Sequence, residues 1–301
     1  MSRRTLIFVG PSASRSRIHS LCPALSRVLG EDLVVASADM PANQAPTAYT
    51  SLLLDVLSRD EVAGGVVTNH KLQFFDAFLQ LGFPVSSIGK KLGVVSVFRR
   101  VGNRFYGTAE EPYAVLPAID KICRCRCMDY FREIVIFGAG GAGRAITYAA
   151  AAHSSRYGVD RITVTDCDLH RIDGFRHLTC CGNLIDLHVA RTHVNDRLLR
   201  EAARGALVVN ATGLGKDASG SPISDHVDFP ADSAAWDLNY RGSLDFLRQA
   251  KSQPSRCHVS CHDGFDFFLF DWLEILSFIF RLNLAEEKIR VFIQSAEHFR
   301  Y

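Results

Sequence analysis

Short apolar runs alternate with stretches of helical spacing from the first residues onward. Leu6–Val9 is an apolar run closed by Gly10-Pro11, the pattern of a buried strand and its exit. Apolar residues at Ile18, Leu21, Leu25, Val28 and Leu29 then recur at helical spacing. Leu33–Ser37 predicts a second strand, Tyr49–Leu57 a helix, and Gly64–Thr68 a third strand ending in a turn. Leu72–Leu81 predicts a helix stopped by Gly82, and Val94–Arg99 with Arg104–Gly107 a strand pair across Gly102-Asn103.

A helical bridge over Pro112–Phe131 leads into a second series. Ile134–Phe137 is a fully apolar strand, followed by a glycine-rich turn and an alanine-rich helix over Arg144–Ala152. Ile162–Thr165, Ala206–Val209 and Ala234–Leu238 predict further strands, and the chain from Phe265 onward reads as one or two helices. Strands separated by helices imply an α/β protein with a parallel, doubly wound sheet. The expected organisation is an N-terminal α/β domain over 1–111, completed by helices within 262–301, and a Rossmann-type domain over 112–261.

Composition narrows the class. The 301 residues are 48% hydrophobic and 22% charged with a formal net charge of +2, so neither nucleic acid nor an anionic membrane is expected as a partner. The apolar run before Gly10 is too short for a secretory signal. Phe265–Phe280 carries Asp266, Asp271 and Glu274, which marks a buried helix instead of a membrane span. Nine cysteines, an odd count, point to reduced thiols in a cytoplasmic compartment. Cys123-Arg124-Cys125-Arg126-Cys127 lacks metal-knuckle spacing, and Cys257-His258-Val259-Ser260-Cys261-His262 has no evident partner pair, so no metal site is expected.

Gly138-Ala139-Gly140-Gly141-Ala142-Gly143 carries the strongest chemical signal, because it follows an apolar strand and opens a helix. Gly138 suits the tight turn, Gly140 a close approach to a pyrophosphate, and Gly143 close packing of helix on strand. The helix N-terminus, at Gly141 and Ala142, offers amides and a positive dipole end to phosphates. Asp166 directly follows the next strand, where a carboxylate accepts hydrogen bonds from the adenine-ribose hydroxyls and repels a 2′-phosphate. The expected cofactor is therefore NAD ahead of NADP, with Arg171 a complicating neighbour. Asn210-Ala211-Thr212, after a later strand of the same sheet, is expected to border the nicotinamide half.

In order along almost the whole chain, these motifs resemble those of the shikimate/quinate dehydrogenase family. Gly10-Pro11 with Ser14 and Ser16 is similar to the family's glycine-proline strand exit and Ser-x-Ser pair, which implies binding of a substrate carboxylate. Val67-Thr68-Asn69-His70-Lys71 resembles a shortened form of its Asn-Val-Thr…Lys motif, which implies Thr68 on substrate and Lys71 as the catalytic lysine. Gly138–Gly143 is similar to its Gly-Ala-Gly-Gly-Ala loop, and Asp166-Cys167-Asp168…Arg171 to its NAD-using members. Asn210-Ala211-Thr212 and Asp237-Leu238-Asn239-Tyr240 also match in type and order. The resemblance implies that the C-terminal helices pack back on the N-terminal domain and close a cleft between the halves. The departures fall on the substrate side. Val66 and Ser96 stand for family asparagines, Glu111 for the catalytic aspartate, with Pro112 in place of glycine, and Asp271 for the C-terminal glutamine.

Oxidising a secondary alcohol with NAD needs a hydride acceptor and a base for the hydroxyl proton. Lys71 sits just past a strand end and suits the base, with Glu111 as its carboxylate and Glu110 as the substitute. Glu110 and Glu111 suit a helix N-terminus equally well, and Ser14 or Ser16 suits an N-cap. Tyr240 and Asp271 are candidate substrate contacts, and His70 a second acid/base candidate. The expected partner is a small-molecule substrate, and the expected state a monomer or homodimer. Three functions fit: a dehydrogenase of a small cyclic hydroxy or amino carboxylate, an inactive ligand-sensing relative, and a reductase of another C=O, C=N or C=C bond.

Overall fold

A computed structural model describes residues 3–30, 32–41, 44–126, 130–175, 178, 184–216 and 218–300. It divides into two units, Met1–Glu111 with Asp271–Tyr301, and Pro112–Phe270.

The first unit contains β1 (Arg3–Gly10), α1 (Ile18–Leu29), β2 (Asp32–Asp39), α2 (Pro46–Leu57), β3 (Val62–Val67), α3 (Lys71–Gln80), α4 (Ser87–Leu92), β4 (Val97–Val101) and β5 (Arg104–Thr108). Its five strands form one sheet in the order β2-β1-β3-β4-β5. The first three run parallel and the last two antiparallel. The β4–β5 hairpin closes through Gly102, whose φ of +59° suits a residue without Cβ. The core is aromatic: Phe98 meets the rings of Phe74, Phe78 and Phe105. Gly64 and Gly65 make room for this, since a Cβ on Gly65 would lie 2.4 Å from the Phe98 ring. Arg100 on β4 spreads its guanidinium over the carbonyls of Val56, Leu57, Arg59 and Val62.

The second unit takes up α5 (Glu111–Arg126) after its first residue. It continues through β6 (Glu133–Phe137), α6 (Gly141–Ala152), α7 (Ser154–Tyr157), β7 (Arg161–Asp166), α8 (Leu169–Phe175), β8 (Ile185–Val189), α9 (Thr192–Glu201), β9 (Leu207–Asn210), β10 (Ala234–Asp237), α10 (Asp245–Lys251) and β11 (Ser260–His262). Six parallel strands are ordered β11-β10-β9-β6-β7-β8, the doubly wound arrangement expected. Ile134, Val135, Ile136 and Phe137 on β6 are wholly buried, as an apolar strand covered on both faces requires.

α11 (Phe265–Phe280) begins in the second unit and ends in the first, where α12 (Glu286–Ala296) follows. The division falls after residue 270 and not after residue 261, for a packing reason. β11 pairs with β10, and Phe265 and Phe267 pack on Tyr240 and Trp236, so this stretch stays with the second sheet. From Asp271 the partners change: Trp272 meets Phe8, and Arg99 stacks over Phe278 and donates to its carbonyl. No described helix is long and apolar enough to cross a membrane.

The predicted helix over 112–131 is shorter than expected. α5 ends at Arg126, and Phe131 lies in no helix, its amide donating to the Tyr157 carbonyl. Cys127 of the cysteine cluster lies outside the described residues. Replacing Phe98 by alanine removes the shared ring of the aromatic core. A loss of about 3–5 kcal/mol is expected in urea denaturation, against under ~0.5 kcal/mol for the exposed Leu79→Gln.

Candidate active site

Three parallel strands of the first unit end on one edge of its sheet. Gly10 pairs in register with Asp39, Val9 with Val67, and the Thr68 amide donates to the Val9 carbonyl at 2.8 Å. A Cβ on Gly10 would fall 2.1 Å from Thr68 Oγ1, so only glycine permits this approach. Asn69 then turns the chain with φ of 62°, a left-handed conformation that asparagine tolerates better than most residues. The turn sets Lys71 as the first residue of α3.

Lys71 Nζ forms an ion pair and hydrogen bond with Glu111 Oε1. The other carboxylate oxygen of Glu111 accepts from the Ser96 hydroxyl at 2.6 Å. Glu111 and Ser96 are 2% exposed, so both carboxylate oxygens are satisfied without water. Burial pulls the Lys71 ammonium down, but the charges of Glu111 and Asp271 and the Glu111 hydrogen bond outweigh it, and the net shift is upward. Burial pushes the Asp271 carboxyl well above its usual range, Glu111 adds to this, and Lys71 opposes it. Asp271 Oδ1 is buried without a hydrogen-bond partner among the described residues. Glu110 is raised to about 7, by burial first and by the charges of Glu274 and Glu111, against a Thr108 hydrogen bond and Arg99. Lys71, Glu111, Ser96 and Asp271 therefore form one electrostatic cluster, and Ser96 is committed to orienting Glu111.

The remaining candidates of this unit have other partners. Ser14 donates through its amide and its hydroxyl to the two carboxylate oxygens of Asp39, at 2.9 and 2.5 Å. These bonds hold the Asp39 carboxyl below its ordinary range. Ser16 Oγ accepts from the Ile18 amide at 3.4 Å, at the start of α1. The Thr68 hydroxyl donates to the Val9 carbonyl at 3.3 Å and keeps its lone pairs. His70 is buried, with Nε2 against the Met40 carbonyl and Nδ1 against the Tyr49 hydroxyl. Both ring nitrogens are engaged, which removes it as an acid/base candidate. Asp39 and Ser96's bond to Glu111 escaped sequence reading because they depend on strand order; the only local signal was an acid at a strand end.

In the second unit, Gly138 has φ of +111°, and a Cβ there would lie 2.7 Å from the Ala211 carbonyl. A Cβ on Gly143 would lie 1.9 Å from the Gly138 carbonyl, while one on Gly140 would meet nothing within 4 Å. Tight contacts thus fix the loop at its first and third glycines, and the second faces open space. No side chain caps the N-terminus of α6. This glycine cradle ahead of an uncapped helix end fits a pyrophosphate. Asp166 Oδ2 accepts from the Ala139 amide at 2.7 Å, Oδ1 from the Asp168 amide at 2.9 Å, and Arg171 lies 3.6 Å away. Each oxygen retains accepting capacity.

Asn210, Asp237 and Asn239 form a buried network below the 210–215 turn. Asn210 Nδ2 donates to Asp237 Oδ1 at 3.1 Å, and Asn210 Oδ1 accepts from the amide and hydroxyl of Thr212. Burial raises the Asp237 carboxyl to about 7 against these donors. Tyr240, in this unit, packs its ring on Phe265 and Phe268. Among the described residues no cluster of His, Cys, Asp or Glu is placed to hold a metal ion.

The second unit is thus a Rossmann-type fold with a glycine cradle, and the first bears a buried lysine–carboxylate pair at its strand ends. Shikimate dehydrogenase (NADP(+)) of Salinibacter ruber is 28% identical over 236 residues, covering 74% of this chain and 75% of that protein. Quinate dehydrogenase from Corynebacterium glutamicum, solved in complex with NAD, superimposes with a TM-score of 0.72 at 18% identity, over 98% of this chain and 100% of that one. Shikimate 5-dehydrogenase from Thermus thermophilus, solved with NADP(H) and shikimate, gives 0.66 at 22% identity over 97% and 99%. No family model matches the chain. Along most of its length the chain is similar to shikimate and quinate dehydrogenases.

The raised Glu110 carboxyl has a consequence for stability. Its folded value, about 7, exceeds the ordinary 4.5, so its contribution is fully present below about pH 4.5 and is lost as pH rises through about 7. Glu110→Gln is expected to cut the fall in unfolding free energy between about pH 5 and pH 8 by about 2–3 kcal/mol, read by urea titration at both values. An unchanged difference between the two pH values refutes the assignment.

Proposed function

We propose that this protein is an NAD-dependent dehydrogenase that moves a hydride between nicotinamide and a small cyclic hydroxy or amino compound of the shikimate/quinate type. The buried Lys71–Glu111 pair carries this reading, because a surface lysine has no reason to be enclosed with a carboxylate. The Gly138–Gly143 loop would hold the nucleotide's pyrophosphate, Asp166 its adenine ribose, and Asn210-Ala211-Thr212 would border the nicotinamide end. A bound nicotinamide supplies the hydride acceptor or donor.

In the reduction the Lys71 ammonium gives its proton to the carbonyl oxygen as the hydride arrives and is left as the amine; in the oxidation Lys71 first releases its proton to solvent, and the neutral amine then takes the hydroxyl proton. Glu111 holds the ammonium in place and keeps it in its protonated form near neutral pH. Ser96 fixes the Glu111 carboxylate so that one oxygen faces the lysine. Asp271 adds a second acid beside them, and Thr68 a hydroxyl on the same strand edge.

Two measurements test this. NAD(H)-linked absorbance is followed with shikimate, quinate, their dehydro forms and amino analogues. Lys71→Ala is expected to lower kcat by about 10²–10⁴-fold while NADH binding persists. Absence of turnover with every compound, in protein that binds NADH, would move the assignment to a ligand sensor. Asp166→Asn keeps an acceptor for the Ala139 amide and removes the charge. It is expected to raise kcat/KM with NADP relative to NAD about tenfold, or ~1.4 kcal/mol. A ratio that does not move would place cofactor choice elsewhere.

A further inference from the structure

We infer that the outer edge of β8 pairs with the same edge of a second copy of this chain, antiparallel about a twofold axis at Leu187. The backbone phase of β8 decides which groups face outward. The Ala190 amide donates to the Asp166 carbonyl, so Asp186 and His188, in the same phase, turn their N–H and C=O groups to β7. Those of Ile185, Leu187 and Val189 point the other way, where the six-stranded sheet ends. Among the described residues nothing pairs with that edge. The other sheet edges are closed or short. On β2 the outward amides of Leu33 and Val35 donate to Ser26 Oγ, at 3.0 Å, and to the Cys22 thiol, both on α1. β5 is covered by the 84–86 segment, the Gly107 amide donating to Pro84 and its carbonyl accepting from Ser86. β11 has only 3 residues. β8 has 5 and lacks the usual protection of an edge: it contains no lysine, proline or glycine, and its register with β7 runs without a bulge.

Such an edge is a template for another strand, and the side chains of β8 select itself as that strand. Pairing centred on Leu187 sets Leu187 against Leu187 of the second copy and Ile185 against Val189. These residues carry the outward groups, so they form the hydrogen-bonded pairs, each exchanging both N–H···O bonds. Asp186 then falls opposite His188 of the second copy, once on each side of the axis. These are the non-hydrogen-bonded positions, where Cα atoms stand about 4.5 Å apart and side chains come closest. Neither the Asp186 nor the His188 side chain has a hydrogen-bond partner among the described residues. Arg161, whose charge feels Asp186, is already bonded to Glu133. On the other face of the strand Val189 is 41% exposed. Alternative registers are worse. A shift of one residue sets outward groups against inward ones, and a shift of two sets Asp186 against Asp186 or His188 against His188. Charge and backbone phase therefore agree on one register.

The strand contact is short, so the dimer is a weak one, with a Kd of about 10–100 µM. Sedimentation velocity of the full chain, from about 2 to 200 µM, is expected to show monomer passing into dimer over that range. Asp186→Lys sets a lysine opposite His188, and His188→Glu sets a glutamate opposite Asp186. Each variant alone is expected to weaken the dimer about tenfold or more. Mixed in equal amounts, the two variants bring lysine against glutamate and Asp186 against His188, and dimer is expected to return. Recovery on mixing cannot come from chains that fail to fold. In hydrogen exchange the Ile185, Leu187 and Val189 amides are expected to slow as concentration rises, while those of Asp186 and His188 stay as they are. A monomer throughout the range overturns the inference and leaves the edge to a strand of another protein. A dimer that neither variant weakens, or the absence of recovery on mixing, overturns it as well. None of these readouts depends on turnover, so the dehydrogenase reading is tested separately.

Discussion

A lysine at the first turn of a helix meets two unfavourable fields, the positive end of the helix dipole and the low polarity of its surroundings. Lys71 stands in that position and is largely buried, 15% exposed at its side chain. What keeps it charged is Glu111, itself at the first turn of α5, where the dipole favours an anion. The pair is therefore asymmetric: one partner is placed well by its helix and the other badly, and the second is held by the first. Truncating Glu111 leaves an uncompensated ammonium, costlier than losing an exposed pair. The rest of the local structure follows from keeping these two groups together. Asn69 makes the turn that presents Lys71, and Ser96 satisfies the second Glu111 oxygen. The Ser96 hydroxyl stands where it meets the far oxygen of the glutamate while the near one holds the lysine.

How far the sequence revealed this can be judged residue by residue. The apolar strands and glycine cradle were legible because their causes are local: four consecutive apolar residues at Ile134–Phe137, and glycines spaced for one loop. Lys71 and Glu111 were legible only through motif order. Their contact spans forty positions and needs α3 and α5 to start side by side. β8 and β11 were not legible, since edge strands such as Ile185–Val189 alternate polar residues and carry little apolar signal. Asp39 was invisible for a topological reason. Its contact with Ser14 exists because β2 lies against β1, and the order β2-β1-β3 is not written in any one segment. His70 stands as an acid/base candidate in the sequence because the partners that engage its ring, Met40 and Tyr49, come from distant parts of the chain.

Both units carry a carboxyl that burial raises to about 7, Glu110 in the first and Asp237 in the second. They differ in the company each keeps. Asp237 sits under a turn with donors from Asn210 and Asn239 on one oxygen, and its other oxygen has no partner among the described residues. Glu110 lies near the acids Glu111 and Glu274, and the lysine of that unit is held by Glu111.

Arg100 shows how the first unit's order is acquired. Its guanidinium ties the carbonyls at the end of α2 and the start of β3 to a strand some forty residues downstream. The 58–61 turn is also bonded within itself, the Ser58 and Arg59 amides to Leu54, Asp55 and Val56 and the Val62 amide to Arg59, so Arg100 adds a distant anchor to a locally formed turn. The connection leading into β3 is therefore fastened at both ends, to the helix before it and to a strand of the hairpin, and its amide protection from hydrogen exchange depends on both.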